Sequence, residues 1–375
     1  MHTKGVKKPV SETAFCGMTH FLHDILRQPV ELQRTLDFLG GDAQPSLQRA
    51  AAAIRNARHV YLSGIGSSWH AALAAGPLFS LGAHPLYMQD AAELFHFAAF
   101  PPRAVLILIS RSGRSVEIVN LLAKARESGV TVIGITNSPD GPLAKEAQIP
   151  IVVNVKFDHG ISVNTYSTLA LTIGALAALT LNSFESTLIA SLSSAIAQTA
   201  QRIPAWQEQI ENTPWLLPNS VSYFLGRGSA LGSCSEARLL WEEGVKSPAT
   251  AMGTGSFRHG PQEIITAGMR FGIWIDGQRM RAQDLGVARD LKRLGASVML
   301  IGHDLPQDAG DLVFQIPAIA PNWQFLTDII PAQLVAETLA RLSEVDSDSF
   351  RLCPFIVEDE YGLLHEEAGV QKGDD

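Results

Sequence analysis

Apolar positions along the chain fall into two kinds of pattern. Short unbroken apolar runs, at 59–63, 85–88, 105–109 and 130–135, have the length and content of strands buried on both faces. Between them lie stretches with apolar residues at helical spacing: 47–56, 71–81, 91–99 and 116–128. Strand, polar turn, helix and strand in this order predict a parallel sheet with helices on both faces. The order then recurs, with strands at 221–225, 271–275 and 297–301 and helices at 234–243 and 281–294. The glycine turns at Gly64 and Gly226 are 162 residues apart, and the strand ends at Gly134 and Gly302 are 168 apart. Two similar halves in tandem account for both separations. The predicted fold class is α/β, with two tandem doubly wound parallel-sheet domains at 46–185 and 213–345, joined by a helical connector at 186–212.

The two ends read differently. Residues 1–45 form a helical arm in which Phe21, Leu22, Ile25 and Leu26 share a face, Pro29 interrupts the helix, and Leu32, Leu36 and Leu39 resume it until Gly40-Gly41. Residues 346–375 turn polar and are expected to pack over the domains before fraying.

Composition narrows the function class. The chain has 375 residues, 46% hydrophobic and 18% charged, which suits two domains with real cores and argues against a disordered or fibrous protein. A net charge of −8 argues against a broad cationic face for nucleic acid, while a local site can still oppose it and take a small anion. Three widely spaced cysteines, Cys16, Cys234 and Cys353, offer neither a disulfide framework nor a metal pattern, so a reducing compartment is expected. Residues 1–10 carry three lysines but no apolar run follows, so no signal peptide is expected and the cytoplasm is the expected location. The most apolar stretch, 168–181, is shorter than the roughly 20 residues a bilayer needs and reads as a buried helix, so no membrane partner is expected. His59, His70, His84 and His96 show no metal-ligand spacing with carboxylates and read as structural or surface residues; no metal and no cofactor is expected.

Open parallel sheets bind ligands beyond the carboxyl ends of their strands. Two turns of the first half have anion-binding chemistry there. Gly64-Ile65-Gly66-Ser67-Ser68 combines flexible backbone, two hydroxyls and a helix start; Ser110-Arg111-Ser112-Gly113-Arg114-Ser115 combines three hydroxyls and two guanidinium groups. Either could be an ordinary helix cap, but three serines around a glycine exceed what one cap requires. A dinucleotide site is the rival: Gly64-x-Gly66 starts its fingerprint and Asp90 falls about 20 residues on, yet Trp69 and Leu231 stand where the third glycine belongs, which weakens the rival without removing it. In the second half, Glu236, Glu242 and Glu243 ride on one predicted helix, with Glu236 two turns from Glu243 on the same face, and His259 precedes the turn Gly260-Pro261.

The serine turn, the glycine turn before it, and the segment from Phe224-Leu225-Gly226-Arg227-Gly228 through Phe257-Arg258-His259-Gly260-Pro261 together resemble tandem sugar isomerase (SIS) domains of flavodoxin-like topology, such as the isomerase half of glutamine–fructose-6-phosphate aminotransferase. The resemblance spans residues 46–350 or so. It implies that Ser110, Arg111, Ser112 and Ser115 hold a sugar phosphate, with Arg111 where glutamine is usual. It implies further that Gly66, Ser67 and Ser68 lie near the phosphate or sugar hydroxyls and that Val163 meets the sugar through its backbone. Glu243 falls at the base that moves a proton between C1 and C2, with Glu236 contacting sugar hydroxyls or orienting the base. His259 assists ring opening and reaches the site from a neighbouring subunit, so a homodimer with shared active sites is implied.

Three departures shape the expected activity. About 45 residues precede the first sheet and residue 2 is His, so a glutaminase domain and glutamine-dependent ammonia production are not expected of this chain. The family's helix lysine three residues before the base is Leu240 here. Its C-terminal imine-forming lysine has no counterpart in 349–354, where Arg351 is the cation, and Lys372 lies too near the end. Without these lysines, nucleophilic help at the sugar carbonyl is lost. Phosphosugar isomerisation, or deamination or deglycation of an amino-sugar phosphate, is then expected, with a non-catalytic sugar-phosphate sensor as the alternative.

Overall fold

The computed structural model describes residues 17–153, 155–216, 220–353, 356–360 and 362–363. The readings made for residues 1–10, Cys16, Pro354 and Lys372 lie outside them. Two all-parallel sheets of five strands organise the chain. In the first, β1 (Val60–Gly64), β2 (Tyr87–Met88), β3 (Val105–Ser110), β4 (Thr131–Thr136) and β5 (Ile149–Val152) lie in the order β2-β1-β3-β4-β5. In the second, β6 (Ser222–Gly226), β7 (Ala249–Gly253), β8 (Arg270–Trp274), β9 (Ser297–Gly302) and β10 (Leu312–Gln315) lie in the order β7-β6-β8-β9-β10. Counted within its own half, each sheet is ordered 2-1-3-4-5, the doubly wound α/β arrangement expected from the sequence. All six residues of β3 and all five of β8 are buried, as central strands covered on both faces must be.

Register fixes the first carboxyl edge. Gly64 pairs with Ile109 and Ser110 with Thr136, so β1, β3 and β4 end level and their turns stand side by side. The two halves meet through the helices Ser67–Ala75 and Ala230–Leu240. A Cβ on Gly232 would lie 2.4 Å from the backbone nitrogen of Ala74, so only glycine allows this approach. Behind this contact the helix Asn164–Thr180 is almost wholly buried and packs against His20–Gly40, confirming 168–181 as a core helix. No described helix is long and apolar enough to cross a membrane.

Several local expectations change. Pro29 does not break the first helix, which runs unbroken over His20–Gly40; the proline and its neighbours Gln28 and Leu32 are buried, and tertiary packing outweighs the one lost backbone bond. The helix expected at 71–81 is two, Ser67–Ala75 and Pro77–Leu81, divided at Gly76-Pro77. Three strands that were not expected complete the sheets: β5 contains Pro150, tolerated at a sheet edge, all five residues of β7 are half-buried, and the apolar run of β10 is short, Leu312-Val313-Phe314.

Candidate functional site

Both first-half turns are shaped by close packing of backbone. A Cβ on Gly64 would meet the carbonyl of Ile109 at 3.1 Å, and Gly66, at φ 55°, starts the helix Ser67–Ala75 in a conformation that favours glycine. In the serine turn, Ser110 Oγ accepts from the Gly113 amide at 3.0 Å and Ser112 Oγ from the Arg114 amide at 3.2 Å. Both hydroxyls therefore act here as acceptors and keep their protons for another acceptor. The Arg111 carbonyl is held by Thr136 Oγ1 at 3.1 Å, while its guanidinium donates to Gly160 O at 3.0 Å and Ser162 Oγ at 3.4 Å. Ser115 stands at the cap of Val116–Glu127 without using its side chain as one, and the first amide of that helix, from Val116, donates to Val357 O at 3.0 Å.

The second half delivers its glutamates to this edge. Glu236 is fully buried and bridges the halves: Ser67 Oγ donates to its Oε1 at 2.9 Å, and His70 Nδ1 lies 2.8 Å from its Oε2. Ser67 and Glu236 thus spend their polar groups on each other, and His70 belongs to that bridge. Ser68 is buried beside it. The sequence places Glu236 and Glu243 on one α-helical face, but the α-helix ends at Leu240 and a π turn, Trp241–Val245, carries Glu243. Such wide turns are often found at functional sites. The two carboxyls remain close. Burial first, and then the charge of Glu236, raise the Glu243 pKa to about 7, against the lowering pull of Arg111 and Lys246. Leu240, at the place of the expected lysine, is core.

Three residues that sequence reasoning passed over converge here. Lys246, ending the π turn, donates from Nζ to the Glu243 carbonyl and, at 2.9 Å, to Ser349 O. The thiol of Cys353 lies close enough to Glu243 that the carboxylate adds to burial in raising its pKa. Asp158, with a fully buried side chain, accepts from the Val163 amide at 3.2 Å, from the Asn164 amide at 3.0 Å and from both the amide and hydroxyl of Thr165. The Val163 carbonyl accepts from Ser167, so both backbone groups of Val163 have protein partners. No local pattern marks these three residues, because each also depends on a distant partner: Lys246 on Ser349, Cys353 on Glu243, and Asp158 on Arg27, 131 positions away. His259 follows the short helix Thr254–Phe257 and is exposed; no described hydrogen bond joins its ring to Glu243, Glu236 or the serine turn. Among the described residues no three His, Cys, Asp or Glu side chains cluster as a metal site requires.

Residues 53–199, which include the first sheet and both of its turns, match the model of the SIS domain. The second sheet lies outside that match and is tied to the first by its strand order. The chain is similar to glutamine–fructose-6-phosphate aminotransferase [isomerizing] of Pyrobaculum aerophilum, at 25% identity over 355 residues covering 89% of this chain and 57% of the relative, and to that of Aeropyrum pernix, at 27% over 339 residues covering 83% and 54%. It thus spans little more than half the length of these relatives. Its fold is shared with glucosamine-6-phosphate deaminase from Thermotoga maritima (TM-score 0.77, 21% identity, 90% of this chain and 99% of that one) and with tagatose-6-phosphate ketose/aldose isomerase from Escherichia coli (TM-score 0.76, 18% identity, 92% and 99%).

Proposed function

We propose that this protein binds a hexose phosphate at the first carboxyl edge and catalyses proton transfer between C1 and C2, as an aldose–ketose isomerase or as an amino-sugar-phosphate deaminase or deglycase. The observation that carries this reading is the Glu243 carboxyl. It is brought from the second half to the serine turn of the first, and its pKa of about 7 suits a group that must both take and return a proton near neutrality. In the isomerase form, the Glu243 carboxylate removes the C2 proton of the open aldose. The C–H electron pair forms the C1=C2 bond of an enediol while O1 gains a proton. Return of the proton from Glu243 to C1, with loss of the O2 proton, leaves the ketose. The hydroxyls of Ser110 and Ser112 and the guanidinium of Arg111 hold the phosphate, and Ser115 and the Gly66–Ser68 turn flank it.

In this reading His259 serves ring opening from a second copy of the chain, since its ring is exposed and none of the described hydrogen bonds joins it to the other groups. A homodimer with shared sites follows. Heavy-water exchange tests the proposal: with fructose 6-phosphate, glucose 6-phosphate and glucosamine 6-phosphate as probes, deuterium is expected at C1 or C2 of at least one. Binding without exchange would make the protein a sugar-phosphate sensor instead, and absence of binding to all three would remove the phosphate site.

A further inference from the structure

The two lysines expected around the base are missing, yet a different lysine reaches it. Lys246 closes the π turn at φ 56° and ψ 33°, a left-handed conformation where glycine is the favoured residue. Other non-glycine residues share this conformation, so the case for Lys246 rests on what its side chain touches. That side chain makes three contacts with two segments. Its Nζ donates to the carbonyl of Glu243 and to Ser349 O, and lies 5.5 Å from the centre of the Phe350 ring, within cation–π range. The tail is anchored just before this point: Ser349 Oγ donates to Asp346 at 2.7 Å, and Asp348 accepts from the amides of His20 and Phe21 at 2.8 and 2.9 Å. Beyond it, Cys353 passes beside Glu243.

We propose that Lys246 is a positioning residue that clamps the C-terminal segment 349–353 onto the turn carrying Glu243 and sets a cation beside that carboxylate. The inference rests on the reading of Glu243 as the base. The groups facing Glu243 are Glu236 from the preceding helix, its neighbour Glu242, Arg111 from the serine turn and Cys353 from the tail. Asp346 and Arg351 of the tail face Lys246 itself. Burial, Glu236 and Glu242 push the carboxyl up; Arg111 and Lys246 draw it down. Removing Lys246 therefore raises the pKa of Glu243 and frees the tail together.

The test needs no substrate. Amide hydrogen exchange of residues 349–353 and an infrared titration of Glu243, assigned by its loss in E243Q, are compared in wild type, K246M, K246G and K246R. In K246M and K246G the tail amides are expected to exchange at least about tenfold faster, the opening being no longer opposed by a charged hydrogen bond, and the Glu243 midpoint to rise by about half a unit or more. K246R is expected to keep the midpoint near wild type. K246G should also melt above K246M because glycine relieves the left-handed strain, so stability and clamping move apart as a plain structural role would not allow. Unchanged tail exchange and an unchanged midpoint in both K246M and K246G would overturn the clamp. Both changes appearing while E243Q retains turnover would keep the clamp and remove the base, so the two readings fail separately.

Discussion

After β3 the chain turns through Ser110–Ser115, and after the corresponding strand of the second sheet, β8, it turns through Asp276–Met280. Both turns use a side chain from the strand end to hold the amides of the next turn. Ser110 does so with a neutral hydroxyl; Asp276 does so with a carboxylate whose Oδ2 accepts from the amides of Arg279 and Met280, both at 2.7 Å. A second carboxylate, the fully buried Asp284, accepts from the Asp276 amide at 3.2 Å and from Arg227 Nε at 2.7 Å. The second edge opens a cavity of about 540 Å³, but its Arg227 and the amides of Arg279 and Met280 are already answered by the protein's own carboxylates, and the Arg279 guanidinium is bound to Asn322. On the function proposed above, the same strand order yields one edge that recruits a phosphate and one that has built in its negative charge. Topology places a site; the residue after the strand decides whether an anion can enter it.

The largest expected effect lies where the halves meet. Glu243→Gln should lower turnover or C1/C2 exchange by about 10²–10⁴-fold, the range for loss of a general base, while sugar-phosphate affinity measured by calorimetry changes little. The pH profile should agree. Glu243 must be ionised to act, so kcat is expected to rise about tenfold per pH unit below a midpoint near 7 and to level off above it. A flat profile from pH 5 to 8 would separate this carboxyl from the chemistry. At the first edge, the double variant Ser110→Ala/Ser112→Ala loses two bonds to a charged ligand and should weaken sugar-phosphate binding by about 10- to 100-fold or more. Gly232→Ala drives a methyl into the Ala74 backbone and should cost about 1–3 kcal/mol in unfolding free energy, with weakened Ser67–Glu236 contact. The smallest effect belongs to the second edge: Asp276→Ala should cost about 1 kcal/mol through lost turn hydrogen bonds and change phosphosugar turnover less than about twofold. A large loss of sugar-phosphate binding in that variant would erase the contrast between the edges.

Much of this is legible in the amino-acid sequence. The runs at 105–109 and 271–275 read as buried central strands because both faces of such strands are apolar, and the glycine turns at 64 and 226 could be matched by spacing alone. The serine turn was visible because its residues are adjacent. Edge strands such as β7 were not, since half-buried residues leave no apolar run. Nor was the π turn under Glu243, because sequence periodicity assumes 3.6 residues per turn throughout.

The sequence by itself determined the alternation of strands and helices, the two halves, and the chemistry of each strand-end turn, since all three depend on neighbours within a few residues. Only the tertiary structure decided that Glu236 is consumed in a bridge to Ser67 and His70, that both backbone groups of Val163 have protein partners, and that Lys246 and Cys353 come to Glu243. Those contacts join residues up to 169 positions apart, and no local pattern encodes which distant partner will satisfy a buried charge.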